Sequence, residues 1–362
     1  MPMFMLRATE SARSSAPRAW GAAWIGAIMG LLIGVLASTP PLVAQDTAAG
    51  AFARMGADAQ GMALGNALGA SPEADVAALY NPALAHQASG QYLSLSAALM
   101  SFDRELQLAA FNTPLGPTAG ISAGVLRAGV GDIDGRDING SPTETLSTNE
   151  YALFLAFGNQ FFDRVAAGAT LKFYIADLVD EVSTVQSLGV DLGLTYTPRD
   201  GTTLGLAVSD LLATYEWETG GVGGRSATDT FPVRLRVSGA QELLDGNLML
   251  LAEYEARFSE REQRRRIPRD PPVQPVDQIA TSSFQINESL GRVGVRYRLL
   301  DVLDVRGGAD RLGSNGFEGW KPSAGFGLRQ SVGTLNLRID YAAVVEPYVT
   351  DLMNVLSIRI YL

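Results

Sequence analysis

From residue 91 to the end of the chain, apolar and polar positions alternate with a period of two. In one segment, Val233, Leu235 and Val237 alternate with two arginines. Because successive side chains of a strand point to opposite faces, this alternation predicts strands with one apolar and one polar face. The predicted strands are 91–99, 106–112, 120–127, 151–159, 165–175, 188–197, 203–209, 231–239, 248–257, 290–299, 303–311, 322–330, 335–342 and 354–362. Their length of about 7–11 residues is that of a tilted strand crossing a bilayer.

The polar faces of these strands consist of small residues with isolated charges. In one segment, for example, Gly189, Asp191 and Gly193 share a face. A soluble sheet would expose such a face to water, whereas small residues with scattered charges indicate a confined polar interior. Opposite charges on neighbouring strands can pair there, and we predict one such pair between Arg234 and Glu253.

The connections between the predicted strands alternate in length. The short ones are 113–119, 160–164, 198–202, 240–247, 300–302 and 331–334, and the long ones are 128–150, 176–187, 210–230, 258–289 and 312–321. Only the connection 100–105 is short on the side of the long ones. Transmembrane barrels have short turns at one end and long loops at the other. The sequence therefore predicts an all-β fold, an antiparallel transmembrane β-barrel of about fourteen strands over residues 91–362.

The longest connection, 258–289, contains five arginines and several prolines. These arginines either contact lipid phosphates or an acidic partner, or belong to a solvated loop. We favour the solvated loop.

Residues 45–90 do not alternate, and we predict that they form a small helical plug inside the barrel. Ala57, Gly61, Gly65 and Gly69 recur at every fourth position, which on a helix gives a flat stripe suited to close packing. Each glycine lowers helix stability by about 1 kcal/mol. We therefore expect a broken or irregular helix.

The plug ends with the motif Asn81-Pro82-Ala83. A residue that precedes proline disfavours helical geometry, so the motif ends the helix and connects the plug to the first strand. The apolar plug residues either help line a ligand pocket or pack against the barrel wall; they are Phe52, Met55, Met62, Leu64 and Leu68.

Residues 1–44 have the features of an export signal peptide. Arginines precede an apolar run over 20–36, and Leu42-Val43-Ala44 offers a cleavage site after Ala44. The alternative is a retained N-terminal anchor, because the apolar run approaches the ~20 residues that span a membrane.

The composition supports an envelope protein without enzymatic chemistry. Charged residues make up 18% of the chain, which has 39 glycines and no cysteine, whereas about 25% charged residues is usual. The net charge of −10 argues against a nucleic-acid partner. His86 is the only histidine, and no metal-ligand spacing or nucleophile–base arrangement is present. We predict no catalytic residue, no metal and no cofactor.

Four motifs stand out beyond the alternation: Arg54-Met55-Gly56-Ala57, Gly65-Asn66-Ala67-Leu68-Gly69, Tyr80-Asn81-Pro82-Ala83 and Phe231-Pro232-Val233-Arg234-Leu235-Arg236-Val237-Ser238-Gly239. Together they resemble the PorV/PorQ family, which belongs with the FadL-like outer-membrane proteins. The chain departs from that family at Leu84-Ala85, where glycine and leucine are frequent, and at Leu362, where many barrels end in an aromatic residue. The resemblance implies a fourteen-stranded barrel with an internal hatch, in a Gram-negative-type outer membrane.

This resemblance leaves two functions open. The one we favour is a non-enzymatic interaction or shuttle component of type IX secretion, with secretion subunits or secreted cargo as partners. The alternative is a FadL-like channel that takes up hydrophobic small molecules. A lumen filled by the plug and by paired charges would favour the first, and an apolar tunnel or a gap in the wall the second.

Overall fold

The computed structural model describes residues 49–73, 76–178, 183–218, 226–267, 276–313, 319–333, 335–346, 349 and 351–362. Within these ranges, the side chains of residues 77 and 260–285 are not described. The predicted signal peptide, 1–44, lies outside the described residues.

The fold is all-β, as predicted, and fourteen antiparallel strands close into a barrel. The strands are β1 (Tyr92–Met100), β2 (Arg104–Leu115), β3 (Ala119–Arg136), β4 (Pro142–Phe162), β5 (Val165–Asp177), β6 (Val185–Arg199), β7 (Thr202–Leu211), β8 (Thr214–Glu218), β9 (Ser226–Thr230), β10 (Val233–Leu243), β11 (Leu248–Ile267), β12 (Val276–Leu300), β13 (Leu303–Leu312), β14 (Lys321–Val332), β15 (Leu335–Val345) and β16 (Leu352–Tyr361). β8 and β9 form a separate hairpin, and β10 pairs directly with β7. The barrel closes where β1 pairs with β16, from Tyr92–Tyr361 to Leu99–Asn354.

The two faces of the barrel wall differ as the alternation predicts. Along β10, Arg234, Arg236 and Ser238 are buried inside, while Val237 is exposed outside. The outward apolar side chains form a band around the barrel; its members include Leu95, Leu153, Leu155, Phe157, Leu171, Phe173, Leu188, Leu192, Leu194, Leu206, Val295, Val305, Phe326 and Leu356. An exposed apolar band of this extent is expected of a wall that faces lipid.

The two ends of the barrel also differ. We call the end with the turns 116–118, 163–164, 200–201, 244–247 and 301–302 the short-turn end, and the opposite end the long-hairpin end. Two predicted long loops are instead largely β-structure. β3 and β4 reach Arg136 and Pro142, and β11 and β12 reach Ile267 and Val276.

The prediction of loops was wrong there because alternation reports only half-buried strands. In the extensions of β3 and β4 most side chains on both faces are exposed or half-buried, and backbone hydrogen bonds between the two strands hold the ribbon without an apolar face. The predicted loop 210–230 likewise contains the β8–β9 hairpin.

The plug lies inside the barrel and contains only short helices. They are a 3₁₀-helix at Ala51–Arg54, α-helices at Ala59–Ala63 and Ala77–Tyr80, and a 3₁₀-helix at Pro82–Gln87. Among the described residues, no helix is long and apolar enough to cross a membrane. The helix Ala59–Ala63 contacts β13 to β16, and Pro82–Gln87 contacts β2 to β6. Through these contacts the plug touches both halves of the wall.

Candidate functional site

A belt of wall glycines allows the plug backbone to lie directly against the barrel. The belt consists of Gly120, Gly158, Gly168, Gly193, Gly205, Gly294, Gly308 and Gly325. A Cβ atom at Gly168 would lie 2.6 Å from the Ala83 nitrogen, and one at Gly158 would lie 2.7 Å from the Pro82 oxygen. Since a side chain at either position would overlap the plug, glycine is needed for this close approach.

The predicted glycine stripe makes close contacts but does not lie on one helix. The helix ends at Ala63, and Gly65 follows in a left-handed conformation with φ 61°. A Cβ atom at Gly65 would lie 2.6 Å from the backbone of Ala309 on β13. Close packing was therefore predicted correctly, while the wall rather than a regular helix dictates the local backbone.

Asn81 of the predicted plug motif joins the plug to the wall. Its Oδ1 accepts a hydrogen bond from Ala83 N at 3.1 Å and caps the 3₁₀-helix Pro82–Gln87. Its Nδ2 donates to Gly69 O at 2.8 Å and to Leu194 O at 3.1 Å. Pro82 and Ala83 are buried beside it. The motif is thus an anchor for the plug in this conformation.

Buried ion pairs join neighbouring strands on the inner face of the wall. Lys172 Nζ lies 2.6 Å from Asp191 Oδ2 and 2.9 Å from Asp210 Oδ1. Arg234 Nη2 lies 2.7 Å from Asp210 Oδ2, and Tyr174 donates to Asp210 Oδ1 at 2.7 Å. Each of these side chains is at most 4% exposed. Opposite charges therefore pair across β5, β6, β7 and β10, as a confined polar interior requires.

A second group of ion pairs continues around the lumen on β10 to β13. Arg292 lies 2.7 Å from Glu253 Oε1 and 3.1 Å from Glu255 Oε2, and its Nε lies 2.7 Å from Asp310 Oδ1. Arg236 Nε lies 2.9 Å from Glu255 Oε2. Charges this deeply buried are tolerable only when they are paired and hydrogen-bonded.

The same wall charges hold the plug. Glu253 Oε2 accepts a hydrogen bond from Gly69 N at 3.1 Å, and Arg236 Nη1 donates to Tyr80 O at 3.0 Å. Asn66 donates to Asp310 Oδ2 at 3.1 Å. Residues of the wall that form ion pairs with one another therefore also hydrogen-bond to the plug.

The predicted pair Arg234–Glu253 is wrong in its partners, although both residues face the lumen. In the observed register Arg234 lies opposite Arg257, and Glu253 lies opposite Ser238. Arg234 therefore binds Asp210 on the other side, on β7, while Glu253 binds Arg292. Alternation gives the face of a residue, but its partner depends on register.

A small cavity remains in the lumen, with an apolar wall and a polar rim. Its volume is about 30 Å³, and Leu126, Ala152 and Phe154 of β3 and β4 form part of its lining. The remaining lining residues are Ala53, Arg54, Gly56, Ala57, Asn66, Leu79, Tyr80, Lys172, Tyr174, Arg236 and Arg292. Burial and the nearby guanidinium groups of Arg257 and Arg234 lower the pKa of Arg54 to about 10, so Arg54 is still a cation at neutral pH. We call this space the lumen cavity.

Aromatic rings extend from the lumen cavity towards the β8–β9 hairpin. Tyr174 contacts Phe231 with ring centroids 4.6 Å apart and the ring planes tilted by 37°, and Tyr215 meets Phe231 edge-on at 4.9 Å. Phe52 of the plug meets Tyr174 edge-on at 6.4 Å, and Trp217 meets Tyr215 at 5.4 Å. The hairpin thereby covers the lumen through a continuous aromatic contact.

The plug residues predicted as a possible pocket lining do not line the lumen cavity. Phe52 and Met62 are buried in one apolar cluster with Met55 packed against it, and Leu64 and Leu68 are buried in another. They follow the alternative given above and pack against the wall. The sequence did not identify β3 and β4 as a cavity lining. Alternation places Ala152 and Phe154 on the inner face of a strand, but it does not show that a cavity lies beside them.

Among the described residues, no group of three or more histidine, aspartate or glutamate side chains could hold a metal ion. His86 contacts the Ala83 carbonyl through Nδ1 at 2.6 Å, which is a structural contact at the end of the plug.

A closed fourteen-stranded barrel with an apolar outer band and an internal plug defines a membrane-spanning plugged barrel. No protein-family model matches the chain, and no curated protein matches it in sequence. Its fold is similar to that of the Pseudomonas putida toluene transporter TodX, with a TM-score of 0.53 and 13% identity over 83% of this chain and 95% of that one.

Two further solved structures have the same fold. The CymD monoaromatic hydrocarbon channel has a TM-score of 0.53 at 12% identity, over 85% of this chain and 98% of its own. A Pseudomonas aeruginosa FadL homologue has a TM-score of 0.53 at 13% identity, over 84% and 98%. At these identities the likeness concerns the fold. The PorV/PorQ resemblance of the motifs stays a prediction.

Proposed function

We propose that this protein lies in a Gram-negative-type outer membrane and admits small hydrophobic molecules. The lumen cavity carries this proposal: Leu126, Ala152 and Phe154 give it an apolar side, and polar and charged residues form about half of its lining. Ligand sites commonly combine an apolar lining with a small number of polar groups that orient the ligand. Solved proteins of the same fold include a toluene transporter and a monoaromatic hydrocarbon channel.

Entry of a molecule requires movement of the plug. The lumen cavity, at about 30 Å³, holds little more than water, whereas ligand pockets measure about 300–1,000 Å³. Every neighbouring pair of barrel strands is hydrogen-bonded, so the wall itself is closed. The plug is the element whose displacement opens the lumen.

Locking the plug to the wall tests this proposal. The chain has no cysteine. A Cβ atom at Gly69 of the plug would lie 3.1 Å from Ser238 Cβ on β10, close to the ~3.5–4.5 Å of a disulfide, and the nearby Glu253 Oε2 is the end of a flexible side chain. We expect cells producing the Gly69→Cys, Ser238→Cys variant to take up radiolabelled toluene only when the disulfide is reduced.

A matched disulfide that leaves the plug free is the control. A Cβ atom at Gly189 would lie 3.6 Å from Ala213 Cβ, so Gly189→Cys with Ala213→Cys links two wall segments. This variant should take up toluene under both conditions. Uptake no greater than in cells without the protein would overturn the channel function, and equal uptake by the oxidised plug variant would overturn the plug movement.

The secretion role is the second candidate, and the filled lumen favours it. The plug and the ion pairs of Asp210, Glu253 and Arg292 leave only a small cavity, as expected of a barrel that presents binding surfaces. Affinity purification from membranes tests this role. Recovery of secretion subunits or secreted cargo would support it, and their absence together with toluene uptake would reject it.

A further inference from the structure

A second cavity lies at the short-turn end, between the plug and the wall of β1, β2 and β14 to β16. Its volume is about 230 Å³. Its lining residues are Pro72, Glu73, Ala78, Leu84, Ala85, Gln87, Ala88, Ser89, Tyr92, Asn112, Arg329, Arg338, Arg359 and Tyr361. None of these residues lines the lumen cavity. We call this space the vestibule.

The vestibule is lined by more positive than negative charge. Arg329, Arg338 and Arg359 face it, and Glu73 is the only carboxylate in its lining. Glu73 is itself bound by two further arginines, because it pairs with Arg296 and lies 3.1 Å from Arg298 Nη2.

Within the described residues, Arg329 has no carboxylate at ion-pair distance, and its Nη1 donates to the Asp301 carbonyl at 3.2 Å. Arg338 is compensated by Asp304 and Asp340, neither of which lines the vestibule. The vestibule therefore keeps a positive charge at Arg329, which has no carboxylate partner among the described residues.

The vestibule also offers fixed hydrogen-bond donors. The Arg359 guanidinium lies over the rings of Tyr92 and Tyr361, at 4.8 and 5.6 Å from their centroids, and its Nη1 donates to the Tyr361 hydroxyl at 2.9 Å. Asn112 is 4% exposed, and its Nδ2 has no hydrogen-bond partner among the described residues. A buried donor of this kind is rarely left unsatisfied in a folded protein.

We propose that the vestibule binds a small anion that carries a carboxylate or phosphate group. Guanidinium groups bind both groups through paired, charge-assisted hydrogen bonds. Arg329 on β14 and Arg359 on β16 supply the charge, and Asn112 on β2 supplies a neutral donor. The site lies on the short-turn side of the plug and does not depend on what the lumen cavity admits.

Titration calorimetry on the purified full chain in zwitterionic detergent tests this site, with inorganic phosphate and succinate as probes at constant ionic strength in chloride. We expect saturable binding of one or both anions, which also tells phosphate from carboxylate specificity. Arg329→Gln should weaken binding at least tenfold, and Asn112→Leu should weaken it without any change in charge.

Arg164→Gln is the matched control, because Arg164 is exposed on a turn at the same end and the charge change is identical. It should bind as the unmodified protein does. The site would be overturned by the absence of saturable binding of both anions, or by equal affinities of the Arg329→Gln and Arg164→Gln variants. The Asn112→Leu variant decides the matter if Arg329→Gln does not fold.

Discussion

Asp58 caps the plug helix Ala59–Ala63 from a position that is only 1% exposed. Its Oδ1 accepts from Gly61 N at 3.1 Å, while Oδ2 has no hydrogen-bond partner among the described residues. Burial raises the pKa of Asp58 to about 6, although the hydrogen bond from Gly61 opposes the rise. An unfolded aspartate titrates near 3.9. The folded chain therefore holds this proton more tightly than the unfolded chain, and stability falls as pH rises from about 4 to 6.

The Asp58→Asn variant tests this pH dependence. Asparagine keeps the cap and removes the charge, so we expect it to stabilise the protein at pH 7.5 by up to about 3 kcal/mol. At pH 4.5 the gain should be much smaller. The measurement is the denaturant midpoint of both proteins in detergent at each pH, and a gain independent of pH would contradict the assignment.

Asp210 lies between two cations, Lys172 and Arg234. Asp210→Asn leaves both of them buried with less compensation, and breaking a buried pair in this way costs about 3–5 kcal/mol. We expect a correspondingly lower denaturant midpoint. Asp163→Asn, on an exposed turn, makes the same chemical change and should leave the midpoint unchanged. Equal midpoints for the two variants would mean that the ion pairs do not stabilise the fold.

At the scale of elements, the 3₁₀-helix Pro82–Gln87 packs closely against the wall because the wall residues that face it are glycines. The helix lies on the inward faces of β3 to β6, where Gly120, Gly158, Gly168 and Gly193 form the seat. Backbone therefore contacts backbone, and Asn81 supplies the hydrogen bonds that fix the position. The seat leaves no room for even a methyl group.

Gly168→Ala tests the seat. The added methyl group would lie 2.6 Å from the Ala83 nitrogen, so the helix must move away from the wall. We expect faster amide hydrogen exchange at residues 81–88 while the barrel strands stay protected. Gly131→Ala adds a methyl group where no atom lies within 4 Å and should leave exchange in the plug unchanged. Unchanged exchange in Gly168→Ala would show that the contact is not required.

At the scale of the whole molecule, closure between β1 and β16 leaves no unpaired strand edge in the barrel. A closed barrel satisfies its backbone hydrogen bonds within lipid, where no water can replace them. The apolar outer band and the polar interior are the two faces of the same alternating strands. Each barrel strand therefore has paired backbone groups and an apolar outer face, the two properties that a strand needs in a bilayer.

The closed barrel predicts heat-modifiable mobility in gel electrophoresis. Membrane fractions that are solubilised without heating should contain a compact, fast-migrating form, and boiling should convert it to the mobility of the unfolded chain. Recovery of the protein in the soluble periplasmic fraction, without this shift, would contradict the membrane barrel. The Gly69→Cys, Ser238→Cys variant can be checked by the same assay before uptake is measured.

The fourteen barrel strands could be predicted because a wall between lipid and a polar lumen forces a period of two. The extensions of β3 and β4 could not, since residues such as Asp132 and Asp134 lie where both faces meet water. The partners of the ion pairs could not be predicted either. They depend on strand register, which changes at irregularities such as the register shift between Val190 and Leu192. The packing of the plug follows the shape of its seat and has no periodic signal of its own.

The pairing of β1 with β16 has a consequence for the order of assembly. Ala59 N of the plug donates to Ser357 Oγ at 2.8 Å, and Ser357 Oγ donates to Ser96 Oγ at 2.8 Å. These bonds join residues 298 and 261 positions apart, so this contact of the plug requires the last strand of the barrel. Contacts of such high sequence separation form slowly. The barrel is closed only when β16 pairs with β1, so we expect the plug to be fully enclosed only at that step.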